Sequence, residues 1–114
     1  MVEILVADDH PLFQYAITDF VERNIPDTKT ISCIDLEEAL NTAEENPDID
    51  LVLLDLNMPG MDGLALLRRI CMSPRMRHIP VVMISARSEL DGISKALAIG
   101  ARDYLIKPVR KNMV

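Results

Sequence analysis

Short apolar runs of period 2, or apolar throughout, alternate along this chain with amphipathic runs of period 3.6. That alternation restricts the fold to an α/β class, a parallel sheet whose strands are joined by crossover helices. The segments expected as strands are Glu3 to Ala7, Lys29 to Ile34, Leu51 to Leu56, Val81 to Ser85 and Asp103 to Ile106. The third and fourth are apolar along most of their length, as strands buried on both faces should be. Leu12, Phe13, Ala16, Ile17, Phe20 and Val21 form one helical stripe, and Leu36, Ala39, Leu40 and Ala43 a second. A third helix carries Leu64, Leu67 and Cys71, and a fourth carries Leu90, Ile93 and Leu97 before Gly100, which suits the turn after a helix. Pro11 suits a first helical turn, while Pro47, Pro59, Pro74 and Pro80 fall between elements, where a missing N–H costs no ladder bond.

At 114 residues the chain reads as one domain, with no internal repeat or low-complexity linker. Its net charge of -6 argues against a nucleic-acid grip by this segment, which would need a cationic field. No apolar stretch is long enough for a membrane span, and the N-terminus lacks the basic region of a signal peptide, so a soluble cytoplasmic protein is expected. Cys33 and Cys71 form no metal-ligand or paired spacing and read as reduced thiols packed as small hydrophobes.

In open parallel sheets ligands bind beyond the carboxyl ends of the strands. Here those ends carry Asp8 and Asp9, Asp55, Ser85 and Lys107. Singly, each has an ordinary explanation: Asp and Ser cap helices and form turns, and Lys is a solvated charge. Together, independent strands deliver three carboxylates, a hydroxyl and an ammonium to one edge. Two carboxylates about 4 Å apart repel by roughly 4 kcal/mol at an effective dielectric near 20, so such a cluster calls for a cation. An oxygen-rich site with few protein ligands suits Mg2+, and with a hydroxyl and a lysine it supplies the parts for phosphoryl transfer.

Asp8-Asp9, the run Asp55-Leu56-Asn57-Met58-Pro59-Gly60-Met61-Asp62-Gly63, Ser85-Ala86, and Tyr104-Leu105-Ile106-Lys107-Pro108 fall in the order and spacing of a known family. The chain resembles the receiver domain of two-component response regulators along almost its whole length. The resemblance implies a flavodoxin-like (CheY-like), doubly wound five-stranded parallel sheet of order 2-1-3-4-5. It implies that Asp55 accepts a phosphoryl group from a phosphohistidine of a sensor histidine kinase or phosphotransfer protein. Mg2+ would be held by Asp8, Asp9, Asp55 and the backbone carbonyl of Asn57. Ser85 and Lys107 would contact phosphoryl oxygens, Ser85 and Tyr104 would act as switch residues, and Asn57 and Arg87 would tune the phosphoryl lifetime. A cis bond between Lys107 and Pro108 is implied as well.

Ala7-Asp8-Asp9-His10-Pro11-Leu12-Phe13 resembles the opening of the NarL and LuxR subgroup, which implies transcriptional output through a C-terminal DNA-binding domain, with homodimerisation on activation. After Lys107-Pro108 only Val109 to Val114 remain, too few for a helix of about 10 to 14 residues. The expectation is therefore a fifth helix truncated or absent, and a chain that forms the N-terminal part of a longer regulator, with apolar surface over strands four and five left to associate. Arg68, Arg69, Arg75, Arg77 and His78 read as solvated surface, and Met58, Met61, Met72, Met76 and Met83 mostly as gap fillers. Three other functions fit the residues less well. An aspartate-nucleophile phosphatase needs a general acid two residues after the nucleophile, where Asn57 stands. A flavodoxin-like cofactor binder needs a phosphate-cradling first loop, which Asp8-Asp9-His10-Pro11 opposes. A phosphorylation-independent interaction module would not need the intact acidic pair, acceptor, hydroxyl and lysine.

Overall fold

The apolar runs pair side by side as a parallel sheet, and the amphipathic runs cross over its two faces. The computed structural model describes residues 1–56, 63–86 and 90–107. In chain order the elements are β1 (Val2–Ala7), α1 (Pro11–Asn24), β2 (Thr28–Cys33), α2 (Leu36–Glu45), β3 (Leu51–Asp55), α3 (Gly63–Met72), β4 (Val81–Ser85), α4 (Leu90–Ile99) and β5 (Asp103–Ile106). The sheet order is β2-β1-β3-β4-β5, every pair parallel, as expected. The expected fifth helix and the Lys107-Pro108 bond fall on residues 108–114, outside the described residues. Asn57 and Arg87 also lie outside the described residues.

Two apolar layers sandwich the sheet. The larger sets α2, α3 and α4, through Leu36, Leu40, Leu66, Leu67, Ile70 and Ile93, against Leu5, Val52, Leu54 and Met83. The smaller sets Phe13, Ile17 and Val21 of α1 against Ile4, Val6, Leu53 and Ile84. Leu67 is fully enclosed. Leu67→Ala is expected to cost about 2–5 kcal/mol, through lost transfer energy and the cavity left behind. Urea unfolding measures it.

Several expected details change. In α1 only the row Phe13, Ile17 and Val21 turns inward, while Leu12, Ala16 and Phe20 face solvent. The row Phe13, Ile17 and Val21 meets Ile4, Val6, Leu53 and Ile84, which leaves the adjacent row on the solvent side. In α3 the enclosed stripe is Gly63, Leu66, Leu67 and Ile70, with Leu64 and Cys71 at its margin. In α4, Ile93 and Ala96 are buried and Leu97 is exposed. The second strand stops at Cys33, because the N–H of Ile34 donates to Glu38 Oε1 and Asp35 caps α2 by accepting from the N–H of Glu38.

The fifth strand is not a core strand: Tyr104 and Leu105 are 39% and 46% exposed. Val81, Met83 and Ile84 of β4 are nonetheless enclosed, so the uncovered apolar surface lies on β5 rather than on both strands. Met76 and Met83 fill the core, whereas Met72 is exposed. Of the basic group, Arg75 Nε donates to the carbonyl of Glu44, and His78 Nε2 lies 2.9 Å from the carbonyl oxygen of Pro47. These two residues therefore tie the loop after α3 to the end of α2 rather than merely being solvated. Both cysteines are free, and burial pushes both thiols above the ordinary value, consistent with unreactive packing.

Candidate functional site

Asp8 directly follows β1 and Asp55 ends β3, and the parallel register and the sheet order place both at the same edge. Both are nearly inaccessible to solvent, at 0% and 2% exposure. Burial of carboxylates at that level needs partners. Lys107, just past β5, provides the central one: its Nζ lies 3.0 Å from Asp8 Oδ2 and 3.1 Å from Asp55 Oδ2. The ammonium stands 4.9 Å from the centroid of the Phe13 ring, a further favourable contact for a cation. Burial opposes the charge on Lys107, but its hydrogen bonds and ion pairs with Asp8 and Asp55 outweigh it and lift the pKa above the ordinary 10.5. The stabilisation from this pairing is therefore complete below the unfolded-state lysine value and is lost only as pH rises through the raised one. Lys107 is an ammonium throughout the neutral range.

Two residues not singled out from the sequence as site residues belong to this edge. His10 is the N-cap of α1, yet its side chain caps nothing. Its Nδ1 stands 3.0 Å from Asp8 Oδ1, 3.3 Å from Asp9 Oδ1, 3.6 Å from Asp55 Oδ2 and 2.8 Å from Lys107 Nζ. The His10 backbone N–H also donates to Asp8 Oδ1 at 2.7 Å. Gln14 sits half-buried on the inner side of α1, and its amide nitrogen donates toward the carbonyls of Val6, Asp8 and Cys33 at 3.3, 3.1 and 2.9 Å. It thereby holds the ends of β1 and β2 to the first turns of α1 and fixes the backbone that carries Asp8.

The remaining expected site residues divide. Asp9 is partly buried beside Asp8 and His10. Ser85 ends β4, one residue past the Asp55↔Ile84 rung, and its hydroxyl is buried with no hydrogen-bond partner among the described residues. Tyr104 lies in β5 and is 39% exposed.

One ligand atom each from Asp8, Asp9, His10 and Asp55 lies within 4.8 Å of all the others. Asp8 Oδ2 and Asp9 Oδ1 are shielded from solvent; the first pairs with the Lys107 ammonium at 3.0 Å and the second lies 3.3 Å from His10 Nδ1. Hard carboxylate oxygens converging at one sheet edge fit a divalent cation such as Mg2+.

Three comparisons bear on this constellation. The response regulator receiver domain family matches residues 4–114. The glycerol metabolism activator of Pseudomonas putida is 40% identical over 107 residues, covering 94% of this chain and 48% of that protein. The chain thus spans about half the length of that relative or less for others: 12% and 29% of two further regulators. Chemotaxis protein CheY of Pseudomonas aeruginosa is 33% identical over 94% of this chain and 85% of its own. A receiver domain protein of Clostridium thermocellum has the same fold, with a TM-score of 0.84 and 31% identity over 96% of this chain and 84% of that one. Among the described residues no helix is long and apolar enough to cross a membrane. The buried Asp8-Asp55-Lys107 edge on a 2-1-3-4-5 sheet and the family match agree: the chain belongs to the response regulator receiver domains, phospho-accepting switches of two-component signalling.

Proposed function

We propose that Asp55 is the phosphoacceptor, and that it takes a phosphoryl group from the phosphohistidine of a sensor histidine kinase or phosphotransfer protein. The observation that carries this reading is the pairing of Lys107 Nζ with both Asp55 Oδ2 and Asp8 Oδ2, at 3.1 and 3.0 Å, at one sheet edge. A carboxylate oxygen of Asp55 attacks phosphorus; the new O–P bond forms as the N–P bond of the donor breaks, and its electron pair leaves with the donor imidazole. Lys107 then exchanges part of its contact with Asp55 for a phosphoryl oxygen, and Ser85 donates its buried hydroxyl to another. Receiver domains bind Mg2+ at an acidic pocket, and here Asp8, Asp9, Asp55 and the carbonyl of Asn57 would hold it, where it supplies charge neutralisation of the phosphoryl oxygens. Asn57 and Arg87 are the residues proposed to set the lifetime of the acyl phosphate. The chemistry acts on the chain's own carboxylate rather than turning over an external substrate.

Incubation with a small acyl-phosphate donor and Mg2+, followed by intact mass measurement, tests the reading. A single adduct of about 80 Da is expected; steady release of phosphate with no adduct would instead mark a hydrolase.

The switch is proposed to run from Ser85 to Tyr104. As the Ser85 hydroxyl turns to the phosphoryl group it frees space beside β5, and the half-exposed Tyr104 ring moves inward. Ser85→Ala should leave phosphorylation in place and remove most of the NMR shift change in α4. Equal shifts in wild type and variant reject this route. The output is proposed to be transcriptional, with a homodimer on activation, in a cytoplasmic regulator of the NarL and LuxR kind, and the activator named among the relatives supports this direction.

A further inference from the structure

We infer that Gln14 is a positioning residue for phosphoryl transfer: from α1 it clamps the turn that carries Asp8 and Asp9, and so sets where these carboxylates stand when Asp55 reacts. The inference rests on the reading of Asp55 as the acceptor and adds to it a residue that meets the site only through the backbone.

The ladder between β1 and β2 creates the need for it. Ala7 pairs with Cys33 in the last rung, and the N–H of Asp8 still donates to the Cys33 carbonyl at 3.1 Å. The next bond of a parallel ladder would run from the N–H of Asp35 to the carbonyl of Asp8. β2 has ended by then, and Asp35 is the N-cap of α2. The side-chain amide of Gln14 takes the place of that rung: Nε2 lies 3.1 Å from the Asp8 carbonyl oxygen, 2.9 Å from that of Cys33 and 3.3 Å from that of Val6. A carboxamide suits a cluster of carbonyl oxygens, because its nitrogen carries two protons and no charge.

The backbone of the same residue closes the other end of the turn. The N–H of Gln14 donates to the carbonyl of His10 at 2.9 Å, the bond that opens α1. Gln14 therefore grips Asp8 through its side chain and His10 through its N–H, with Asp9 held between the two. The side chain of Asp8 faces the reacting edge: Oδ2 lies 3.0 Å from Lys107 Nζ, and Oδ1 accepts from the His10 N–H at 2.7 Å.

Without the amide, the Asp8 carbonyl has lost its donor and the peptide between Asp8 and Asp9 is free to turn toward water, which carries both acidic side chains with it. Phosphoryl transfer is mostly a matter of holding groups in line, and a misplacement of about 1 Å is worth about 10²-fold in rate. A residue that only stabilised the fold would act differently: its loss would lower stability and leave the rate of each folded molecule unchanged.

The test compares the whole chain with Gln14→Met, of similar length but without a donor, and Gln14→Arg, whose Nε follows Cδ as the amide nitrogen does and keeps an N–H. With a small acyl-phosphate donor and saturating Mg2+, Gln14→Met should be phosphorylated at least about tenfold more slowly per folded molecule, and Gln14→Arg should recover most of that loss. With neither metal nor donor present, the His10 N–H resonance, which reports the bond to Asp8 Oδ1, should move in Gln14→Met and stay near its wild-type place in Gln14→Arg. A third measurement needs no variant: Gln14 is the only glutamine in the chain, and its side-chain amide protons should exchange with solvent at least about tenfold more slowly than those of exposed Asn41. A Gln14→Met variant that is less stable in urea yet phosphorylated within about twofold of wild type overturns the inference and leaves Gln14 a structural tie alone. Equal losses in Gln14→Met and Gln14→Arg also overturn it, because the N–H donor would then not be what matters. Fast exchange of the Gln14 amide overturns it whatever the variants do. A wild type that takes up no phosphoryl group would instead remove the acceptor reading of Asp55, and this inference with it.

Discussion

Asp55→Asn is expected to lower phosphoryl incorporation by at least about a thousandfold, to background, because an amide oxygen is not a nucleophile at phosphorus. The variant should still fold. Asp55 Oδ2 is attracted to Lys107 at 3.1 Å, but its carboxylate also faces the acidic residues Asp8 and Asp9 across less than 4.8 Å. Each such interaction is about 1–4 kcal/mol between bulk-water and protein-surface screening, with opposite signs, so the net change in stability is expected to stay within about 1 kcal/mol. Trapping with borohydride and peptide mapping checks the site. Comparable label in Asp55→Asn would assign the acceptor elsewhere.

Gly63→Ala carries the largest expected loss of stability from a single methyl group. A Cβ built on Gly63 would lie 2.6 Å from the carbonyl oxygen of Leu56 and 3.1 Å from that of Asp55. These are backbone atoms at the end of a central strand, with no flexible side chain to move aside. Alanine gains about 1 kcal/mol over glycine in helix propensity, but forcing α3 away from β3 costs more. A net destabilisation of about 2–4 kcal/mol is expected, equivalent to roughly 10–15 °C in Tm. Phosphorylation should slow as well, since the crowded carbonyls are those of Leu56 and of Asp55 itself. Urea denaturation with parallel kinetics measures both. A variant within about 0.5 kcal/mol of wild type would show that α3 slides freely along β3.

Strand positions were readable where a short apolar run is closed by a charged or turn-forming residue, as in β1, β3 and β4, and β4 and β5 occupy the expected residues. Helix faces were less readable. In α1 two adjacent rows are equally apolar, and nothing in Leu12, Ala16 and Phe20 marks them as the outer one. Gln14 did leave a signal, a polar residue at i-3 and i-7 from Ile17 and Val21 on the inner side, where an amide must find acceptors. His10 left a weaker one. It was visible as a neighbour of two acids, but its contacts with Asp55 and Lys107 depend on how the turn from β1 into α1 aims the ring. The roles of Asp8, Asp55 and Lys107 as neighbours followed from strand-end logic, because a parallel sheet puts all its carboxyl ends on one side.

Lys107 spans more of the molecule than its length implies. It leaves an edge strand and, passing β4 and β3, holds Asp8 at the end of β1. It is therefore a tie rod across the carboxyl edge of the sheet, with β5 hung from its far end. Linkage is reciprocal: a ligand or covalent change that draws Asp8 or Asp55 away from the ammonium must loosen β5 by the free energy with which fraying of β5 weakens the acidic edge. Amide exchange at Tyr104 to Ile106 would then read the charge state of a carboxylate two strands away, with no movement of the intervening backbone required.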